Sequence, residues 1–599
     1  EGSDPLPADL TIPDAVRLSD GTVLGSIVIS ASADETERFA AEELRAHIQK
    51  VTGADLPVVN RTGKGYGSLI LGTPDSLPFL SELFPDDLAW LSTVYEEETG
   101  KHWGSDGFAV RRSGDHLFLF GAESRGTLNA VYDLLEDGFG ILWIRENEDL
   151  GTVYEPQQVV TLAKTDYREK SPFQIRGWHL LDLWPETLSP YKMLSRNRLN
   201  LISPASKNRP LDEIGVSYRI GINGNLKWHV LNSPLYDPEE TEYWCTNAQG
   251  EALSPEESHQ VNFWSEKTAD VIAAAAVSVI QQNGYTLYFI GAEDTDRGYA
   301  LPYSRQPYEY APGLTVDPID KNYISTVYHS FFNQIARKVA ESCPDCLIGT
   351  YAYTFTQRPP ACDIEPNRLI VYATTDESMT EPFCMPPSTE KHQGMNNADN
   401  YAWVTEWNEK TDHLLMYNYY GCSEAGCVYE RSILERMQDD LQHYAEDGIW
   451  GLTPEGVLDM DGFWAWYTGP EEDTLRHNWD MNLLTYWVYS KLAWDPYLDL
   501  NELVEDFCNK VYGDAAPYML EYHRLLKEGW DKGNENGPVK MNVNYKAEAF
   551  YQTFVIGPGI GQQLVDSLNQ AYEAANDIQK QRISYVRDTV TEWVNRYGS

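Results

Sequence analysis

"LYFIGAEDTDRGYALP", Leu287 to Pro302, runs through apolar and aromatic residues as far as Gly291 and then sets Glu293, Asp294 and Asp296 within four positions. A short apolar run bounded by turn residues reads as a strand buried on both faces, as in parallel sheets. Acids crowded at its C-terminal tip are either a solvated loop or the chemistry of the protein.

Working outward, the same unit recurs. Strands are predicted at "FQIRGWHL", "LNLIS", "SYRIGI", "TLYFIGA", "CLIGTYAY", "RLIVYAT", "HLLMYNYY" and "GIWGLTP". The clearest helices between them are 265–283, 320–341, 430–446 and 478–491. Strand and helix in alternation, eight times over residues 166–495, predict a (β/α)8 TIM-like barrel with insertions. Residues 1–165 read as a separate α/β sandwich domain. In "GSIVISASADETERFAAEELRAHIQKVTGADLPVV" a strand leads through capping acids into a helix with Ala40, Ala41, Leu44 and Ile48 on one face. The turn from Gly121 to Gly126 lacks the GK[ST] of a phosphate loop. Beyond "KLAWDP" the apolar period is helical, which makes residues 496–599 a C-terminal helical domain.

Composition limits the partners. A chain of 599 residues is too long for one ordinary domain. Its 46 Lys and Arg face 91 Asp and Glu, a net charge of −45. That charge opposes phosphate backbones and anionic headgroups, which excludes nucleic acid and membrane surfaces as partners. No apolar run reaches the roughly 18–20 residues of a membrane span. The start, "EGSDPLPADL", reads as the trimmed terminus of a secreted or periplasmic protein whose signal peptide has been removed. The 18 Trp and 38 Tyr point to carbohydrate, since aromatic rings stack on sugar faces. Of the eight cysteines, Cys343 with Cys346 or Cys422 with Cys427 could close a local disulfide. There is neither a second CxxC nor an HExxH, so a zinc site is not expected.

In a barrel the active site lies at the C-terminal ends of the strands. That rule selects Trp178 and His179 after strand one, Trp228 and His229 after strand three, and Glu293, Asp294 and Asp296 after strand four. It adds Tyr351 and Tyr353 (strand five), Asp376 and Glu377 (strand six), Tyr417, Asn418 and Tyr419 (strand seven), and Glu455, Trp464 and Trp466 (strand eight). Glycoside hydrolysis needs two carboxyl groups flanking the scissile bond. Crowding and burial raise a carboxyl pKa and so suit a proton donor. Glu293 is the expected general acid, and Glu455, or Asp376 in its place, the nucleophile or base, with Asp294 a further catalytic candidate. Trp178, His179, Trp228, His229, Tyr353, Tyr417, Trp464 and Trp466 are expected to bind substrate. No metal or organic cofactor is required, although Asp294 and Asp296 could together hold calcium.

Two resemblances sharpen this reading. "ETERFAAEELRAHIQKVTGADLPVV", "SLILGT" and "DGFAVRRSGDHLFLFGAESRGTLNAVYDLLEDGFGILWI" resemble the non-catalytic N-terminal domain of family 67 α-glucuronidases and family 20 β-hexosaminidases, which packs beside a catalytic barrel. "FFNQIARKVAESCPDCLIGTYAYTFTQRPP", "EPNRLIVYAT", "GIWGLTPEG" and "YWVYSKLAWDPYLDLNELVEDFCNKVYGDAAPYMLEYHRLL" are similar to the secreted bacterial family of domain of unknown function 4838. The resemblance implies a glycoside hydrolase of α-glucuronidase or hexosaminidase type, with an acid after strand four at Glu293 and a "PEG" glutamate at Glu455. The loop after strand four departs from that family's glycine-rich, cysteine-containing pattern. A glucuronidase also needs cations for the substrate carboxylate, and Arg176, Lys227, Arg297 and Arg358 are available. The expected function is cleavage of a glycosidic bond in an extracellular poly- or oligosaccharide by paired carboxylates. The alternatives are a non-catalytic carbohydrate-binding protein on a degenerate barrel and a calcium-dependent polysaccharide lyase.

Overall fold

The computed structural model of the chain describes residues 15–95, 101–181, 189–203, 214–215, 217–295, 300–385, 397–421, 428–457, 478–542 and 545–598. All eight predicted barrel strands form: Ile175–Leu181, Leu201–Ser203, Tyr218–Ile222, Leu287–Phe289, Leu347–Ala352, Arg368–Ala373, Leu414–Tyr417 and Gly451–Leu452. Each runs parallel to its neighbours. Strand one pairs with strand two through Gly177 and Leu201 and with strand eight through Ile175 and Gly451, so the sheet closes. Strand eight resumes as Glu455–Val457, which aligns Glu455 with His179 at the outer end of strand one. The site is built on this extension.

The helices explain themselves from the sequence. Glu266–Asn283 starts on Ser265, whose hydroxyl accepts the Thr268 N–H, and stops at Gly284 with φ 65°. Its alanine run puts Ala273 and Ala276 in the core shared with the next helix, Tyr323–Ser342. Ser189–Arg196, Leu226–Leu231 and Asn397–Lys410 are further barrel helices. The last of these buries few residues per turn, so its apolar stripe is weak in the sequence.

The N-terminal part is a mixed eight-stranded sheet with helix Glu35–Thr52 on it. Asp34 and Glu37 form a reciprocal capping box, with Asp34 Oδ1 accepting the Glu37 N–H at 2.8 Å and Glu37 Oε2 accepting the Asp34 N–H at 3.0 Å. The Gly121–Gly126 turn is a packing device. A Cβ on Gly126 would sit 2.3 Å from the Gly107 carbonyl, and one on Gly121 would sit 2.6 Å from Gly126 Cα.

Buried ion pairs join this sheet to the barrel. Arg176 pairs with Asp106 at 2.6 Å, Arg196 with Glu43 at 2.8 Å, and Lys491 with Glu136 at 2.6 Å, while Arg198 pairs with Asp133. In each pair the acid comes from the N-terminal part and the base from the barrel chain. Helices Leu500–Tyr512, Ala516–Gly533, Gly561–Ala574 and Asp577–Tyr597 follow, and their apolar faces continue the barrel's core.

Cys343 and Cys346, which could have closed a local disulfide, are free thiols, as are the other four described cysteines. Burial pushes the Cys346 thiol up to about 12. Cys422 and Cys427 lie outside the described residues. Among the described residues no helix is long and apolar enough to cross a membrane.

Candidate active site

At the C-terminal mouth of the barrel lies a cavity of about 270 Å³. Glu293 and Asp294 reach it from strand four, Tyr353 from strand five, Tyr417 and Tyr419 from strand seven, and Glu455 from strand eight. In a closed eight-stranded barrel strands four and eight stand on opposite sides, so the two glutamates come to the cavity from opposite walls.

Glu293 is held by residues far from it in sequence. The short helix Leu226–Leu231 leaves its first N–H groups free for partners outside the helix. The Leu226 N–H donates to the Gly291 carbonyl at 3.0 Å, and the Lys227 N–H donates to Glu293 Oε1 at 2.9 Å. Gly291 lets Asn225 pack close, since a Cβ there would lie 2.9 Å from Asn225 Oδ1 and displace that side chain. The buried Gln260 amide clamps the loop, donating to the Glu293 and Thr295 carbonyls at 2.8 and 2.9 Å and accepting the Glu293 N–H at 3.2 Å. One carboxyl oxygen of Glu293 is thus anchored, and the residue lines the cavity.

Glu455 is fixed through its backbone and its side chain. Its N–H donates to the Asn418 carbonyl at 2.8 Å and its carbonyl accepts the Gly421 N–H at 3.0 Å. The Tyr417 hydroxyl donates to Glu455 Oε2. Burial and then the Glu455 charge hold the Tyr417 phenol well above the usual tyrosine range, so it stays a donor. Tyr353 is pushed up for the same reasons, by burial and then by the charges of Asp294 and Glu455. The ring of His179, in register with Glu455, lies 4.9 Å from that of Tyr417, and burial pulls its pKa down to about 4, leaving it neutral.

Thr354, just after strand five, lines the cavity with φ 50°. The left-handed region costs a β-branched residue roughly 1–3 kcal/mol. The turn is imposed by Thr356, whose Oγ1 accepts the Tyr353 N–H at 3.0 Å and donates to the Tyr351 carbonyl at 2.9 Å.

The structure thus brings Glu293, Asp294, Tyr353, Tyr417 and Glu455 together. Other predicted positions lie apart from the cavity. Trp178 is buried behind Glu455, on Tyr486 and Tyr489, where Gly456 makes room for it. Strand alternation turns Trp178 outward and His179 inward. His229 is fully buried between the Asn225 carbonyl at 2.8 Å and the Tyr288 hydroxyl at 2.7 Å, and Trp228 packs against Gly224. Asp376 is exposed and is not among the residues that line the cavity. Its neighbour Glu377 is buried and paired with Arg436. Trp464, Trp466 and Asp296 lie outside the described residues, and with Asp296 the calcium expectation. Among the described residues no group of three or more His, Cys, Asp or Glu is arranged to hold a metal. Gln260, Asn225 and Thr354 were not selected from the sequence. Their connection to the site is made by loops about 30–70 positions away in the chain or by a backbone angle, and neither leaves a local pattern.

The fold has known relatives. A family GH115 4-O-methyl-α-glucuronidase with specificity for decorated arabinogalactans superposes with a TM-score of 0.52 at 12% identity, over 96% of this chain and 72% of that one. A GH89 enzyme of Clostridium perfringens bound to GlcNAc-α-1,4-galactose gives 0.48 at 10% identity, over 94% and 61%. The β-hexosaminidase of Streptomyces plicatus gives 0.45 at 11%, over 86% and 97%. At such identities the likeness is one of fold. No curated protein matches the chain. The family described as domain of unknown function DUF4838 matches residues 152–524.

Proposed function

We propose that this chain, which belongs to the DUF4838 family, is a glycoside hydrolase whose paired carboxylates are Glu293 and Glu455. The observation that carries the reading is the placement of these two acids on opposite walls of one tyrosine-rich cavity at the strand ends. That is the arrangement hydrolysis of a glycosidic bond needs. Glu293, anchored by the Lys227 N–H and lining the cavity, protonates the leaving oxygen. Glu455, which accepts the Tyr417 hydroxyl, attacks the anomeric carbon or activates water. Tyr353 and Tyr419 offer ring faces and hydroxyls to the sugar.

The test is sugar release from a panel of aryl-glycosides and plant, algal and bacterial polysaccharides, by wild type and by Glu293→Gln. The variant is expected to lose about 10²-fold or more in kcat/KM, the contribution of a positioned general acid. Equal activity in the two proteins would remove Glu293 from the mechanism. Glycan binding by wild type without any release would favour a binding protein on a degenerate barrel.

Tyr417→Phe removes the donor to Glu455. Kcat/KM is expected to fall about tenfold, and the acidic limb of its pH profile to move to higher pH, because the lost hydrogen bond favours the ionised carboxylate. A profile that superimposes on that of wild type would show the contact to be idle.

A further inference from the structure

We infer that the glycosyl unit held between Glu293 and Glu455 is a neutral sugar and not a uronic acid. The inference rests on the glycosidase reading for its site but on separate observations for its content. A site for a uronic acid must present a cation to the substrate carboxylate, and arginine is the residue whose planar fork matches it. Among the described residues, none lining the cavity is a lysine or arginine, and three that do line it, Glu293, Asp294 and Glu455, are acids.

Of the four cations that the sequence makes available, three are committed elsewhere. Arg176 is buried and paired with Asp106 at 2.6 Å, in the interface with the N-terminal sheet. Lys227 offers Glu293 its backbone N–H, while its ammonium turns away to the Ser258 carbonyl at 2.8 Å. The Arg358 guanidinium lies over the ring of Trp403, 4.4 Å from its centre. Arg297 lies outside the described residues.

The electrostatics of the cavity wall agree. The carboxylates that act most strongly on the phenols of Tyr353 and Tyr417 are those of Asp294, Glu455 and Asp376, all of one sign. A substrate carboxylate brought among them meets like charge, which is how a site rejects the wrong partner. At long range the chain's net charge of −45 repels a polyuronate in the same sense. A neutral glycan meets neither barrier, and its hydroxyls find acceptors on the same carboxylates. The family GH115 glucuronidase that shares this fold is therefore a guide to architecture and not to the sugar.

The experiment uses matched pairs of 4-nitrophenyl glycosides, neutral sugar against the corresponding uronide, in both anomers and in the gluco, galacto and manno series. Hydrolysis is measured as kcat/KM, and binding of the same compounds by saturation-transfer NMR. Within a pair, the neutral member is expected to lead by about 10²-fold or more. Asp294→Asn is expected to narrow that gap about tenfold by removing one repelling charge. A uronide that is cleaved or bound as well as its neutral partner overturns the inference while leaving the glycosidase reading intact. Neutral sugars that bind in preference to uronides but are never cleaved support the inference and sink the glycosidase reading. If no compound binds at millimolar concentration, the inference fails with it.

Discussion

Glu455→Gln is expected to lose about 10³-fold or more in kcat with the fold intact. The two expectations come from different atoms of one residue. The backbone at this position is held by the Asn418 carbonyl, the Gly421 N–H and, one residue earlier, the His179 N–H on the Pro454 carbonyl at 2.8 Å. None of these contacts involves the side chain. Glutamine keeps the size of glutamate and an acceptor for the Tyr417 hydroxyl, so packing of the strand extension against Trp178 and Tyr486 is undisturbed. What disappears is the negative charge opposite the developing oxocarbenium ion. A loss of 10³-fold corresponds to about 4 kcal/mol of transition-state stabilisation, at 1.36 kcal/mol per factor of ten. Thermal unfolding is expected to be unchanged or slightly raised, because a partly buried charge has been removed. Kcat and the unfolding midpoint, measured together, decide the matter. A variant that stays within about tenfold of wild type would exclude Glu455 as nucleophile or base.

Much of this site could be read in the sequence because barrel chemistry sits at strand ends. The eight apolar runs fixed where the chain crosses the sheet, and the residues just after them include Glu293, Asp294, Tyr353, Tyr417 and Glu455. Side-chain direction was harder to read. Trp178 and His179 are adjacent, and only the register with Glu455 shows which of them faces inward. Asp376 and Glu377 are adjacent carboxylates, yet one is exposed and the other buried. Nothing local distinguishes them, because the difference is made by Arg436, some 60 residues later. His229 is alike: on a helix of six residues no apolar period shows which face is inside. Gln260 holds the acid loop from an insertion whose path no periodicity describes.

Arg436→Leu is expected to destabilise the protein by about 3–5 kcal/mol, the range for removing one partner from a buried ion pair. Arg436 bridges two buried acids, pairing with Glu377 and, through Nε, with Asp440 Oδ2 at 2.8 Å. Leucine fills much of the space but leaves both carboxylates without a cation. Their remaining contacts do not replace it. Glu377 Oε1 accepts the Thr374 hydroxyl and the Tyr419 N–H at 2.5 and 3.1 Å, and Asp440 accepts the Tyr420 hydroxyl at 2.7 Å. The effect must depend on pH. Burial already pushes Asp440 up to about 7, against an ordinary value of 3.8, so the fold favours its protonated form. An acid whose folded pKa is raised costs stability as pH rises from its unfolded value through its folded one. Without Arg436 that window widens upward, and the variant is expected to lose more stability at pH 8 than at pH 5. Urea unfolding at the two pH values reads both numbers, and a loss below about 1 kcal/mol at pH 8 would show the triad to be replaceable by packing. The same change should reach the site. Glu377 holds the Tyr419 N–H, Tyr419 lines the cavity, and the neighbouring Asn418 carbonyl anchors the Glu455 N–H. A folded Arg436→Leu protein at pH 5 is therefore expected to turn over more slowly than wild type, because the strand end that carries both the donor to Glu455 and its backbone anchor has lost its fixed support.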